Sequence, residues 1–325
     1  GVMGPTFYGK WRRVGKSLIF VQPNLTVRTD NKEVKDAVSH LYTENVVVDV
    51  PIVTTGPGGG PVIDLGAMMI QRFADFFPTT PPAYGSFVPG VNPRLAALTK
   101  AKAFPENVVA EYEVPNGNGR LMRLTYDFGL LEGTPGYKPR TADNRVGYFY
   151  NWHQDYAEAQ QDDVINRYIT RWNIEKADPN LSMSPPKQPL VWYIEHTTPV
   201  KYRRYVREGI LSWNEAFEDI GIVGAMEVYQ QDANTGAHMD LDPEDARYNF
   251  FRWNTTSQGY AIGPSRTNPY TGEILDADIV WHQGLTRSVW MMLGNFAEEV
   301  VAQTMTPETI AFFDANPSWD PRVRL

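Results

Sequence analysis

The 325 residues are 42% hydrophobic and 13% aromatic, enough apolar surface for sizeable cores and length for roughly two domains. A net charge of −8 leaves little to neutralise a phosphate backbone, which speaks against nucleic acid or an anionic membrane as partner. The lack of cysteine removes disulfides, thiolate metal sites and a cysteine nucleophile, and no run reaches the ~18 apolar residues of a membrane-spanning helix.

The first half alternates as strands do. Residues 18–21 and 46–50 are β runs. Between them Val34, Val38 and Leu41 recur at helical spacing and predict a short surface helix over 33–42. The glycine–proline cluster at 56–61 lacks the Lys-Ser/Thr pair of a phosphate loop and reads as a turn. A strand at 62–65 leads into an expected helix over 67–77 with Met69, Ile70 and Phe73 on one face, and the proline-rich stretch 78–93 is a loop. Residues 107–130 form a hairpin around Asn116-Gly117, because Asn-Gly supplies the positive backbone angles of a tight turn. Residues 167–174 alternate again.

Pro185, Pro186 and Pro189 interrupt both helix and sheet and mark a boundary, giving a β-rich accessory domain over 1–185 and a second domain over 186–325. The second domain opens on a buried-strand run at 190–194. A helix over 199–220 follows, with Thr198 as cap, Pro199 in the first turn and Gly221 as its left-handed stop. Its apolar stripe is Tyr202, Val206, Ile210, Trp213, Phe217 and Ile220, a face that needs a sheet to pack on. Strands at 225–229, 248–253 and 274–281 come next, then helices over 287–303 and 307–314. A β-rich region followed by strand, helix, strand, strand and edge strand predicts a mixed α+β and α/β fold class.

Side chains able to carry chemistry are sparse. Asp240, Asp242, Glu244 and Asp245 set carboxylates close together in one short run, which suits calcium or, equally, a solvated loop. The five histidines, His40, His153, His196, His238 and His282, include no pair at i, i+4, so no helix here presents two zinc ligands on one face. No G-x-S-x-G elbow is present. Glu195, Asp276 and Asp278 sit at strand ends; facing one another in a tryptophan-lined cleft, two of them would suit glycoside hydrolysis.

Several ordered segments carry a family resemblance: Tyr137-Lys-Pro-Arg140, Asp143-Asn-Arg-Val-Gly-Tyr-Phe149, Arg167-Tyr-Ile-Thr-Arg-Trp172, Pro189-Leu-Val-Trp-Tyr-Ile194, Asp242-Pro-Glu-Asp-Ala-Arg-Tyr-Asn249 and Ala261-Ile-Gly-Pro-Ser-Arg266. Together they resemble large bacterial zinc-dependent metalloproteases of the metzincin kind, whose N-terminal region is catalogued as a domain of unknown function. The resemblance implies an active-site helix bearing H-E-x-x-H-x-x-G-x-x-H, zinc held by its histidines and water activated by its glutamate. That motif is not among these residues, so no catalytic or zinc-binding role transfers to any position.

What the resemblance does imply is a substrate-side strand. In metzincins the fourth strand is the antiparallel sheet edge above the cleft, where peptide substrate adds as a further strand. The expected stretch is Glu273, Ile274, Leu275, Asp276, Ala277, Asp278, Ile279, Val280 and Trp281. Starting at Gly1 with no signal-like segment, the chain reads as the processed N-terminal portion of a secreted or periplasmic zinc endopeptidase, completed by a C-terminal remainder. Its rival is a non-catalytic binding or structural subunit that uses the same fold.

Overall fold

The computed structural model describes residues 6–72, 91–156 and 164–317. The chain forms two compact units. The first comprises Gly1–Asn173 with two later excursions, Glu244–Ala246 and Thr267–Leu275; the second comprises Ile174–Pro243, Arg247–Arg266 and Asp276–Leu325. The prolines at 185–189 therefore mark where a strand begins, while the division between units falls earlier, after Asn173. Residues 174–187 go with the second unit because their backbone is tied into it. Ser184 donates to the Gly221 carbonyl, and Val223 donates back to Ser184.

In the first unit, β1 (Lys10–Val14), β2 (Ser17–Gln22), β3 (Asn45–Thr55) and β4 (Pro61–Ile63) make an antiparallel sheet in sequence order. Alternation along β3 buries Val48 and Val50 and turns Asp49 outward, as a two-residue side-chain period requires. Helix α1 (Lys32–Leu41) is capped by Asn31, whose side chain accepts the Glu33 N–H, and it buries no residue. The helix expected over 67–77 is a π-helical turn at Ala67–Gln71 that buries Met68, Met69 and Ile70. Phe73 and most of the 78–93 loop lie outside the described residues.

The three strands β5 (Ala97–Ala103), β6 (Asn107–Pro115) and β7 (Leu121–Gly129) form an antiparallel meander. The β6–β7 turn is closed by the Asn116 side chain, which accepts the N–H groups of Asn118 and Arg120. Val48, Val50, Met68, Met69, Val114 and Tyr126 belong to the main core, where the Tyr126 hydroxyl donates to the Met69 carbonyl at 2.6 Å. Strands β8 (Tyr150–Gln154) and β9 (Ile165–Ile169) pair antiparallel, and β10 (Arg171–Trp172) runs parallel to Glu273 and Ile274 of the second excursion.

The second unit is built on β11 (Leu190–Ile194), α2 (Val200–Leu211), α3 (Trp213–Asp219), β12 (Met226–Gln230), β13 (Asn249–Asn254) and β14 (Ala261–Ile262). Strands β15 (Ser265–Thr267), β16 (Glu273–Ala277) and β17 (Ile279–His282) follow, then helices α4 (Gln283–Thr304) and α5 (Pro307–Ala315). Its five-stranded sheet has the order β12-β11-β13-β17-β14. The first four strands are parallel and β14 is antiparallel, at the edge. The expected 199–220 helix is two helices meeting at Ser212, and it ends as its sequence dictates, at Gly221 with φ of 82°.

One expectation needs correction here. Residues 273–281 are not a single edge strand. They divide into β16, which lies between β10 and β15, and β17, which lies between β13 and β14, so both parts have a partner on each side. Asp278 breaks the run: its carboxylate accepts the Phe250 N–H, its own N–H goes to the Pro264 carbonyl, and the Ala277 N–H goes to the Asn249 side chain. The fourth strand of this sheet in chain order, and its antiparallel edge, is Ala261–Ile262.

Candidate functional site

The parallel pairing of β11, β13 and β17 puts Trp192, Phe251, Trp253, Ile279 and Trp281 on one face of the sheet, because register aligns Ile194 with Phe251 and Trp253 with Trp281. The stripe of α2 and α3 stands over this face with Tyr202, Tyr205, Val206, Ile210 and Trp213, and β14 with Gly263 forms the lip. Between them lies a groove of about 570 Å³.

Aromatic contacts set its shape. Tyr202 stacks on Trp253 with centroids 5.1 Å apart and an interplanar angle of 13°, and Trp253 stacks on Trp281 at 6.3 Å and 22°. The Trp281 indole donates to Thr286 Oγ1 at 2.9 Å. The floor is closed, with Trp192 and Trp253 only 6% and 7% exposed, whereas Tyr205 and Trp213 at the rim are 66% and 63% exposed. The buried indole N–H groups of Trp192 and Trp253 have no acceptor among the described residues. Among the described residues no carboxylate, histidine or cationic side chain lines the groove. Its chemistry is apolar binding, with an open strand edge beside it, and it holds no acid or base.

The strand-end acids belong to a different place. Asp278 is half-buried, and desolvation, reinforced by Asp276 and Glu195, raises its carboxyl to about 6 against the pull of the Phe250 N–H and Arg252. Asp276 pairs with Arg266 at 2.5 Å, and Glu195 accepts from Thr197 Oγ1 with Arg252 4.0 Å away. None of the three lines the tryptophan groove, so the arrangement a carbohydrate enzyme needs, acids within an aromatic cleft, is not what these residues form.

The remaining expected residues are also accounted for. Glu273 is 2% exposed and accepts the Thr134 N–H, a structural role within the first unit. The expected calcium ligands do not converge: among the described residues no group of three or more His, Cys, Asp or Glu side chains could hold a metal ion. Glu244 is instead held by Lys100 at 2.7 Å and Lys102 at 2.9 Å. Burial opposes its ionisation, but these two ammonium groups bring its carboxyl below the usual range. The described histidines offer zinc no ligand set either; His282 is buried with Nδ1 2.8 Å from Thr256 Oγ1, and burial lowers its proton affinity. Sequence reading missed β14, since two apolar residues before Gly263-Pro264 are too short to show a strand period.

Fold and groove together define a two-unit α+β protein whose second unit presents an apolar aromatic groove beside an antiparallel sheet edge. The chain belongs to the family described as domain of unknown function (DUF5117), which it matches over residues 1–177. No curated protein and no solved structure matches it. Among the described residues no helix is long and apolar enough to cross a membrane.

Proposed function

We propose that this chain supplies the accessory domain and the substrate-side half of an exported, metzincin-like zinc endopeptidase. The zinc-binding helix comes from a C-terminal remainder of the same protein or a separately processed chain. The observation that supports this reading is the sheet order of the second unit. Its fourth strand in chain order, Ala261–Ile262, is antiparallel and at the edge, the place that the family resemblance implies for the substrate-side strand. Peptide substrate adds to the free side of β14 and lays apolar side chains toward Trp213 and Tyr205. No residue of this chain performs the hydrolysis.

Two measurements test this. Alone, the dialysed chain is expected to contain no stoichiometric zinc by elemental analysis and to leave casein intact; stoichiometric zinc in it would overturn the reading. Successive N–H groups of a strand point to opposite sides, so proline at Ala261 and proline at Ile262 should differ. One of them should abolish binding of a Val/Ala-rich hexapeptide, followed by amide exchange at residues 261–263, and the other should disturb pairing with β17.

The rival, a non-catalytic subunit that binds a partner through the same groove, draws support from the aromatic and aliphatic side chains that line it among the described residues. Mixing the chain with the C-terminal remainder separates the two: gain of peptide hydrolysis supports the protease, and a stable inactive complex supports the subunit.

A further inference from the structure

The first unit contains a second cavity, of about 900 Å³, bounded by β2, α1 and the β8–β9 pair. Three cationic side chains reach it, Arg12, Arg28 and Lys35, and two carboxylates, Asp30 and Glu44. Glu44 is already engaged by Arg12 and by Lys10, and Asp30 is exposed at the mouth. Of the two cations that remain, Lys35 is exposed on α1 and Arg28 is half-buried.

Its position is fixed by the backbone. The Arg28 N–H donates to the Gln154 carbonyl at 2.9 Å, the Gln154 N–H donates to Thr26 at 2.7 Å, and Asn24 closes the turn before it by accepting the N–H groups of Thr26 and Val27. One terminal nitrogen of the Arg28 guanidinium lies 2.9 Å from Nδ1 of His153, and its carbon stands 5.1 Å from the centre of the Tyr270 ring. His153 is 8% exposed, and it meets the Tyr168 ring at 5.5 Å.

Arginine has only N–H donors, so the His153 nitrogen facing it must be an acceptor and the ring must be neutral. Burial, then the adjacent Arg28 charge, lowers the proton affinity of His153 and agrees with that assignment. The Nε of Arg28 is buried and has no acceptor among the described residues, and none of the ion pairs formed there includes Arg28. The half-buried guanidinium, with an unpartnered buried Nε–H and a neutral neighbour, forms no ion pair and feels Asp30 only at longer range, so it lines the cavity short of a partner anion. Guanidinium groups meet that deficit with planar or tetrahedral oxyanions, which accept from the donor fork.

We propose that Arg28, backed by neutral His153, is the head-group site for a small organic oxyanion, a carboxylate or a phosphate monoester, whose body lies against Tyr168 and Tyr270. The apolar part of the lining, Val21, Val27, Val38 and Val46, favours a ligand with a hydrocarbon or aromatic body over a bare inorganic ion. The site lies within the first unit and does not depend on the peptide-binding reading of the second.

Calorimetric titration of the full chain at low ionic strength with benzoate, phenyl phosphate, inorganic phosphate and benzylamine tests this. Benzoate or phenyl phosphate should bind, the better of the two identifying the head group, with inorganic phosphate weaker and benzylamine silent. Arg28→Gln should weaken the anion by about ten- to a hundredfold, the usual worth of hydrogen bonds to a charged group. Should that variant fail to fold by near-ultraviolet circular dichroism, Arg28→Lys keeps the charge, loses the fork and should still weaken binding. Absence of heat with both organic anions, unchanged binding in the folded Arg28 variant, or equal binding of benzylamine would overturn the proposal.

Discussion

The carboxylate of Asp278 accepts the backbone N–H of Phe250 at 2.9 Å, tying the residue just before β17 to the start of β13. A residue that could have continued an exposed strand is thereby drawn into the sheet. The free edge passes to Ala261–Ile262, and with it the surface on which a peptide could add.

Burial raises Asp278 from the ordinary aspartate value of 3.8 to about 6, so over that interval the folded state holds a proton that the unfolded state has released. The contribution of this group to stability is therefore full below about pH 4, falls as pH rises toward about 6, and is constant above, a span of about 3 kcal/mol at most. Asp278→Asn keeps an oxygen for the Phe250 N–H and removes the ionisation. Relative to the parent it should gain about 1–3 kcal/mol at neutral pH and nothing near pH 4. Chemical denaturation of both proteins across this range checks the difference, and parallel curves would exclude the raised carboxyl.

Asn107 is 3% exposed and uses its whole amide: Nδ2 donates to Asp127 and to the Glu244 carbonyl, and Oδ1 accepts the Ala246 N–H. Asn107→Ala strands those buried backbone groups and should cost about 2–4 kcal/mol, read as a lower denaturation midpoint with an unchanged slope.

The groove floor and rim should separate cleanly by mutation. Trp253→Ala removes a buried ring stacked on both Tyr202 and Trp281 and should cost about 3–5 kcal/mol. Trp213→Ala, at an exposed position, should change stability by no more than about 0.5 kcal/mol yet weaken any peptide that binds along β14. Equal losses of stability in the two variants would mean that the rim is packed like the floor.

Gly221 sits at φ of 82°, and a Cβ there would come within 2.3 Å of the Ser182 carbonyl oxygen. Gly221→Ala therefore meets both backbone strain and a clash, and should destabilise the second unit by about 2 kcal/mol or more, seen as a lowered thermal midpoint.

Local signals carried much of this fold. The 190–194 strand, the Asn-Gly hairpin, the short helix α1, and the left-handed stop at Gly221 each rest on neighbours in sequence, and each is where periodicity and turn chemistry put it. The break within 199–220 was not legible, because the apolar stripe continues through Ser212 unchanged. The break at Asp278 was not legible either, since its cause is an N–H 28 residues away. For the same reason Glu244 looked like a metal ligand, while the ammonium groups that claim it lie on β5, 144 residues earlier in the case of Lys100. The groove was half visible: its helix stripe could be read, and its lip on a two-residue strand could not.

The family match stops at residue 177, yet the first unit is completed by residues far beyond it. The Arg171 N–H needs the Gly272 carbonyl, the Thr134 N–H needs the Glu273 carboxylate, and Asn107 needs Glu244 and Ala246. The stretch that the family match covers is thus shorter than the first unit. A polypeptide cut at residue 177 would lack these partners, so the matched stretch alone would leave the first unit unfinished.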